Sequence, residues 1–137
     1  MKYYFDTSAL FKRYISEPGS ERVEGFFMEA ESIAVGSLSF PELISALARY
    51  KREKRLNANQ YQLCEQFVCS DFTFFEICQL SDPVLAKAMA VLEESPLRAS
   101  DAIHIASALE VKADRFISGD SRQMEAAKKF DLAIGSV

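Results

Sequence analysis

The feature that most constrains this chain is a regular alternation of short β-type runs with amphipathic helical patterns. Lys2 to Phe5 reads as an aromatic-rich strand, Ile33 to Val35 as a second and Phe74 to Cys78 as a third. Arg115 to Ser118 is a fourth, and Leu132 to Ile134 a short fifth. Helical periodicity fills the intervals. Ser8 to Ile15 is a short helix before a Pro18-Gly19 turn; Ser20 then caps a helix with Val23, Phe26, Phe27 and Ala30 at i, i+3, i+4, i+7 spacing. Ser39 opens a long helix with Phe40, Leu43, Ile44, Leu47 and Tyr50 on one face, and the next helix turns Tyr61, Cys64, Phe67 and Val68 inward. Asp82-Pro83 starts a helix carrying Val84, Leu85, Ala88, Val91 and Leu92, with Pro83 suited to its first turn. Ser100 opens another with Ala102, Ile105, Ala106 and Leu109, and Ser121 to Phe130 forms the last. This order predicts a three-layer α/β/α fold around a mainly parallel sheet of about five strands. Right-handed crossovers place the strand C-termini on one edge, and the crevice outside that edge is where such sheets bind and react.

At 137 residues, without repeat, linker or low-complexity stretch, residues 1–137 are expected to form a single domain. No apolar run approaches the ~18 residues of a membrane span. Asp6 cuts off the only apolar stretch at the N-terminus, so no signal-peptide core forms, and a cytoplasmic location without membrane contact is expected. Cys64, Cys69 and Cys78 are odd in number and fit neither a disulfide framework nor a zinc spacing, so they are expected as plain core residues.

Four acids fall near the predicted active edge. Asp6 ends the first strand, Glu42 sits in the first turn after the second, Asp101 opens its own helix and Asp120 follows the fourth strand. Each also has a plain structural reading. Asp6 can cap the following helix, Ser39-Phe40-Pro41-Glu42 and Asp120-Ser121-Arg122-Gln123 have capping-box form, and Asp101 suits a helix dipole. Caps, however, need not converge on one edge. Clustered carboxylates repel and raise one another's pKa, and a divalent ion relieves that repulsion. All-oxygen ligands suit Mg²⁺ or Mn²⁺, which activate water and orient phosphate, with no Ser, Cys or His nucleophile required. The net charge of −4, from 16 basic and 20 acidic residues, argues against indiscriminate nucleic-acid binding. Neutralising four ligand acids would leave 16 of each sign.

At these residues the sequence resembles the PIN-domain nucleases. Asp6-Thr7-Ser8-Ala9-Leu10 looks like the opening of such a domain. Pro41-Glu42-Leu43, Arg98 to Ala106 and Ile117-Ser118-Gly119-Asp120 resemble its later acidic motifs, in order and over nearly the whole chain. The chain's size is similar to that of the VapC-like toxins of type II toxin–antitoxin systems. The resemblance implies a Mg²⁺- or Mn²⁺-dependent ribonuclease whose catalytic and metal-binding quartet is Asp6, Glu42, Asp101 and Asp120. It also implies a homodimer and a cognate antitoxin that occupies the active-site groove. Ser118 stands where the family more often has Thr, and Asp131 where Gly often follows the last helix.

Thr7, Ser8 and Ser118 are supporting candidates: they can hydrogen-bond the carboxylates or cap the local turns. His104, one turn after Asp101, is read as a packed histidine with a satisfied ring N–H in preference to a general acid or base. Arg98, Arg122, Lys51 and Arg52 are candidate RNA contacts; the last two belong to a basic helix end from Arg49 to Arg55 that also complements the helix dipole. Phe72, Phe74 and Phe75 fit a buried strand better than an exposed base-stacking platform. The apolar surface of Leu10, Phe11, Tyr14, Phe26 and Phe27 suits either ordinary core or a protein contact. Two other functions compete. One is phosphotransfer through an aspartate nucleophile at Asp6, disfavoured because no second Asp stands two residues on. The other is a catalytically silent module that binds RNA or protein.

Overall fold

A computed structural model describes residues 1–137. The elements run β1 (Lys2–Phe5), α1 (Thr7–Tyr14), α2 (Ser20–Glu29), β2 (Ser32–Gly36), α3 (Ser39–Arg52), α4 (Ala58–Phe72), β3 (Glu76–Cys78), α5 (Asp82–Glu94), α6 (Ala99–Glu110), β4 (Arg115–Ser118), α7 (Ser121–Lys129) and β5 (Ala133–Ser136). All five strands are parallel, in the order β3-β2-β1-β4-β5. The three-layer α/β/α architecture expected from the alternation is therefore the one observed.

Side chains alternate across the sheet, and helices cover both faces, so both faces are apolar. Tyr3, Phe5, Val35 and Ile117 point into a core completed by Leu10, Val23, Leu43, Leu47 and Val68 of α1 to α4. Tyr4, Ala34 and Phe116 point the other way, against Val84, Ala88 and Val91 of α5, Ile105 and Ala106 of α6, and Ala126 and Ala127 of α7. Leu10 and Phe11 are buried, and Tyr14, Phe26 and Phe27 pack, partly exposed, against that first core.

The topology fixes where a site can form. From β1 the chain adds β2 and β3 outward on one side, then returns to lay β4 against the opposite side of β1. The C-terminal ends of β1 and β4 are thus a topological switch point, where a crevice opens between diverging crossovers. Asp6 and Asp120 directly follow those two strand ends or lie two residues beyond.

Three expectations are corrected. The third strand starts at Glu76, not Phe74, because α4 runs on to Phe72 and the chain turns there, with the Phe74 amide donating to the Asp71 carbonyl at 2.9 Å. Phe74 is consequently 84 % exposed, while Phe72 is buried and Phe75 packs on it. Phe67 is exposed, not inward, because it sits at the edge of α4 where its ring meets only Tyr14 edge-on and the Arg13 guanidinium; Leu85 and Leu92 of α5 are exposed as well. The cysteines are free as expected, but only Cys78 is buried and Cys69 is exposed. Asp131 adopts φ 63°, the left-handed conformation for which glycine is the common choice after a helix. No helix is long and apolar enough to cross a membrane.

Candidate active site

Asp6 leaves the sheet at the end of β1 and caps α1. Its Oδ1 accepts from the Ala9 amide at 2.9 Å and from the Ser8 hydroxyl at 2.7 Å, and its Oδ2 accepts from the Ser118 hydroxyl at 2.5 Å. The same hydroxyls hold the loop after β4: Gly119 donates its amide to Ser8 Oγ at 3.0 Å, and Asp120 donates its amide to Ser118 Oγ at 2.9 Å. Asp6 is 0 % exposed. Burial pushes its carboxyl up; the nearby His104 charge, the Ser118 and Ser8 hydroxyls and the Ala9 amide only partly oppose this, and the net is a raised pKa. The cap reading and the supporting roles of Ser8 and Ser118 are therefore realised together. An inaccessible carboxylate with both oxygens engaged is poorly placed as a nucleophile, which removes the basis for phosphotransfer through Asp6.

Glu42 departs from its expected cap. The residue at the start of α3 is Leu38, with no side-chain cap, and the buried Ser39 hydroxyl has no partner. The Glu42 side chain instead accepts from the Thr7 hydroxyl at 2.9 Å and from His104 Nε2 at 2.7 Å. Because a carboxylate only accepts, Nε2 carries the proton. His104 Nδ1 lies 2.8 Å from the Tyr4 hydroxyl, within hydrogen-bond distance. Both ring nitrogens are satisfied and the ring is buried, as a packed histidine requires, but one of its partners is a site acid. Burial pushes the Glu42 carboxyl up, yet the His104 hydrogen bond and charge, with Thr7 and Arg98, outweigh it and hold the group below its ordinary value.

Asp101 lies in the first turn of α6 and Asp120 caps α7. Gln123 ties them together: its amide nitrogen Nε2 donates to Asp101 Oδ1 at 3.2 Å, and its backbone amide donates to Asp120 Oδ1 at 3.3 Å. Asp120 also accepts from the Arg122 amide at 2.9 Å. Arg98 Nε lies 3.3 Å from Asp101 Oδ2, with an Arg98 side chain 76 % exposed. A long, solvated pair of this kind holds weakly.

These groups line one polar cavity of about 600 Å³. Glu42, Asp101 and Asp120 stand in its wall with Thr7, Ser8, Arg98, His104 and Gln123. Asp6 is not in the lining; it sits buried behind Ser8 and Ser118. Of the basic candidates, Arg98 and Arg52 line this cavity. Arg122 lines a separate hollow beside Lys129, and Lys51 stacks over the Tyr61 ring at 5.0 Å. Sequence reasoning misses Gln123 and Tyr4, and takes Arg49 only as one residue of the basic helix end. Gln123 reads in the sequence only as part of a cap, and Tyr4 only as a strand residue. Arg49, seven residues after Glu42, shares its helical face and also lines the cavity.

Whether a divalent cation suits this site can be judged from its donors. As the side chains stand, no three His, Cys, Asp or Glu groups converge closely enough to hold one ion. The donor chemistry nevertheless fits: the acids supply hard oxygens. Gln123 is 5 % exposed, and its Oε1 is buried without a hydrogen-bond partner beside Asp101 and Asp120. A buried orphan oxygen needs a cation or a water to satisfy it.

With this geometry in view, comparison with known proteins is direct. The PIN domain family model matches residues 3–129. Ribonuclease VapC47 of Mycobacterium tuberculosis is 28 % identical over 97 % of this chain and 95 % of its own length. Ribonuclease VapC45 of the same organism is 29 % identical over 79 % of this chain and 75 % of its own. Among solved structures, FitAcB from Neisseria gonorrhoeae superposes with a TM-score of 0.74 at 20 % identity, covering 96 % of this chain and 95 % of that one. VapBC2 from Rickettsia felis, bound to a DNA fragment from its promoter, does so with a TM-score of 0.73 at 15 % identity, covering 100 % and 99 %. The parallel sheet, the acids at its switch point and a family match over nearly the full length agree: the chain belongs to the PIN domain family.

Proposed function

We propose that this chain, acting as one nuclease domain over residues 1–137, is a Mg²⁺- or Mn²⁺-dependent endoribonuclease, the toxin of a toxin–antitoxin pair. The observation that carries the reading is the cavity itself. Segments far apart in sequence place Glu42, Asp101 and Asp120 in one wall, backed by Asp6, at the switch point of the sheet. Relatives named ribonucleases, and neighbours that are toxin–antitoxin complexes, support the same assignment. A homodimer, inhibition by a cognate antitoxin and a cytoplasmic site of action belong to this reading.

When bound, a divalent cation supplies an activated water and neutralises charge on the phosphodiester. Asp6, Glu42, Asp101 and Asp120 would hold it, with Asp6 the most deeply buried of the four. Through Ser118, Asp6 also fixes the loop that carries Asp120. His104 and Thr7 orient Glu42. Arg98, exposed and weakly paired with Asp101, is free to turn to a phosphate oxygen. Water attacks phosphorus, the bond to the ribose 3′ oxygen breaks, and that oxygen takes a proton, leaving 5′-phosphate and 3′-hydroxyl ends.

The test incubates purified protein with a mixed RNA pool in Mg²⁺, in Mn²⁺ and in EDTA, beside an Asp101→Asn sample prepared in parallel. Cleavage that needs metal and is lost in the variant supports the enzyme. Equal cleavage by the variant contradicts the site. RNA binding that persists in EDTA, with no cleavage at any metal concentration, replaces the enzyme with a silent binding module.

A further inference from the structure

The cavity has two chemically different ends. Its acids gather where α1, α6 and α7 begin. Further along α3 it is lined by Ser45, Ala46, Arg49 and Arg52. At about 100° per residue, Ser45, Arg49 and Arg52 all lie within roughly 80° of Glu42 around the helix axis. At ~1.5 Å per residue, Arg52 is about 15 Å from Glu42 along that axis. One face of α3 therefore carries a site acid at its start and two guanidiniums at its end.

These arginines have no partner in the protein. The acids outnumber the bases 20 to 16, and Lys2, Lys12, Arg13, Lys87, Arg98 and Lys128 all make ion pairs. Arg49 and Arg52, both exposed, make none, and they are the two unpaired basic residues that line the cavity. Their neighbours on the same helix end are used differently: Lys51 lies over Tyr61, and Arg55 stacks on Tyr50 at 3.8 Å. The groove also continues past Arg49. A second hollow of about 330 Å³ shares Thr7, Ser8, Ala46 and Arg49 with the first and runs on to Phe11 and Lys12.

We propose that Arg49 and Arg52 form a phosphate-binding arm, holding two phosphates of a single RNA strand that lies along α3 to one side of the bond presented to the acids. That the strand is RNA rests on the ribonuclease reading above; that it is a phosphodiester strand rests on the arm. A guanidinium fork without a protein carboxylate is the group best matched to phosphate oxygens. The arm supplies a local basic footprint that the net charge of −4 conceals. An acidic protein segment would compete for the same forks, but it would not place a backbone across the acid end.

The experiment measures binding of a fluorescein-labelled single-stranded RNA in EDTA, by anisotropy, over a range of salt concentrations. Each phosphate contact on a single strand contributes ~0.7 to the slope of log K against log salt. The double variant Arg49→Gln/Arg52→Gln should bind more weakly, with a slope shallower by about 1.4. Lys51→Gln/Arg55→Gln, which removes two charges from the same helix end outside the cavity, should keep the wild-type slope. Circular dichroism checks that each variant is folded, as the exposure of these side chains leads one to expect. An unchanged slope in Arg49→Gln/Arg52→Gln overturns the arm and leaves the forks to a protein ligand. Equal flattening in both double variants overturns it in favour of a diffuse basic helix end. Wild-type cleavage of the same RNA in Mg²⁺ is scored separately. Cleavage with an unchanged slope removes the arm alone; a flattened slope without wild-type cleavage keeps the arm and removes the nuclease reading.

Discussion

His104 Nε2 stands 2.7 Å from Glu42 Oε1, joining α6 in one layer of the fold to α3 in the other across the end of the sheet. Tyr4, wholly buried in β1, holds the other ring nitrogen at 2.8 Å. The orientation of a site acid is thereby set from the centre of the sheet. Losing a group that orients a metal ligand costs ~10–100-fold in metal affinity or activity. His104→Ala should weaken Mn²⁺ binding by about that factor in a titration of the RNA-free protein. Unchanged affinity would reduce His104 to packing.

The same network explains Gly36. A Cβ built there would lie 2.7 Å from the Tyr4 hydroxyl, which cannot retreat inside a filled core. Gly36→Ala is expected to cost about 1–3 kcal/mol of stability, as overpacking does. In a Tyr4→Phe background, where the obstructing oxygen is gone, that cost should shrink. Urea unfolding of the four proteins in this cycle measures the coupling. Strict additivity would mean the contact is not the reason for the glycine.

Asp6 gives a pH signature. Its folded-state pKa lies above the ordinary 3.8, so between those two values the folded chain holds more protons than the unfolded one. Wild-type stability contributed by this group therefore falls as pH rises through that window. Asparagine has no such proton to lose. Without divalent ions, the stability of Asp6→Asn relative to wild type should rise with pH above about 4 and then level off. A difference that stays flat, or falls, would show that the hydroxyls around Asp6 fully compensate its burial.

Much of this was legible from the residues because the signals were local. Five strands in order and the helices between them follow from periodicity, and the strand-end positions of Asp6 and Asp120 follow from the βα rule. Local signals also misled. Ser39 and Glu42 have the spacing of a capping box, but the cap position before α3 falls on Leu38, and the stronger attraction of His104 takes the carboxylate. Phe72 to Phe75 look like a strand, yet the helix before them persists and spends two of those rings on its own packing. The contact of Tyr4 with His104, spanning 100 residues, has no trace in the sequence. Lys51 and Arg49 are indistinguishable by composition. Counting along the helical face from Glu42 is what separates them.

The claim on which the rest stands is that these acids gather to hold a divalent ion. Isothermal titration of Mn²⁺ onto the RNA-free wild-type protein and onto Asp101→Asn tests it most directly. Saturable binding is expected of the wild type, with affinity at least about tenfold weaker in the variant. No binding by the wild type, or equal binding by both, would mean that Asp6, Glu42, Asp101 and Asp120 serve as caps and hydrogen-bond anchors only.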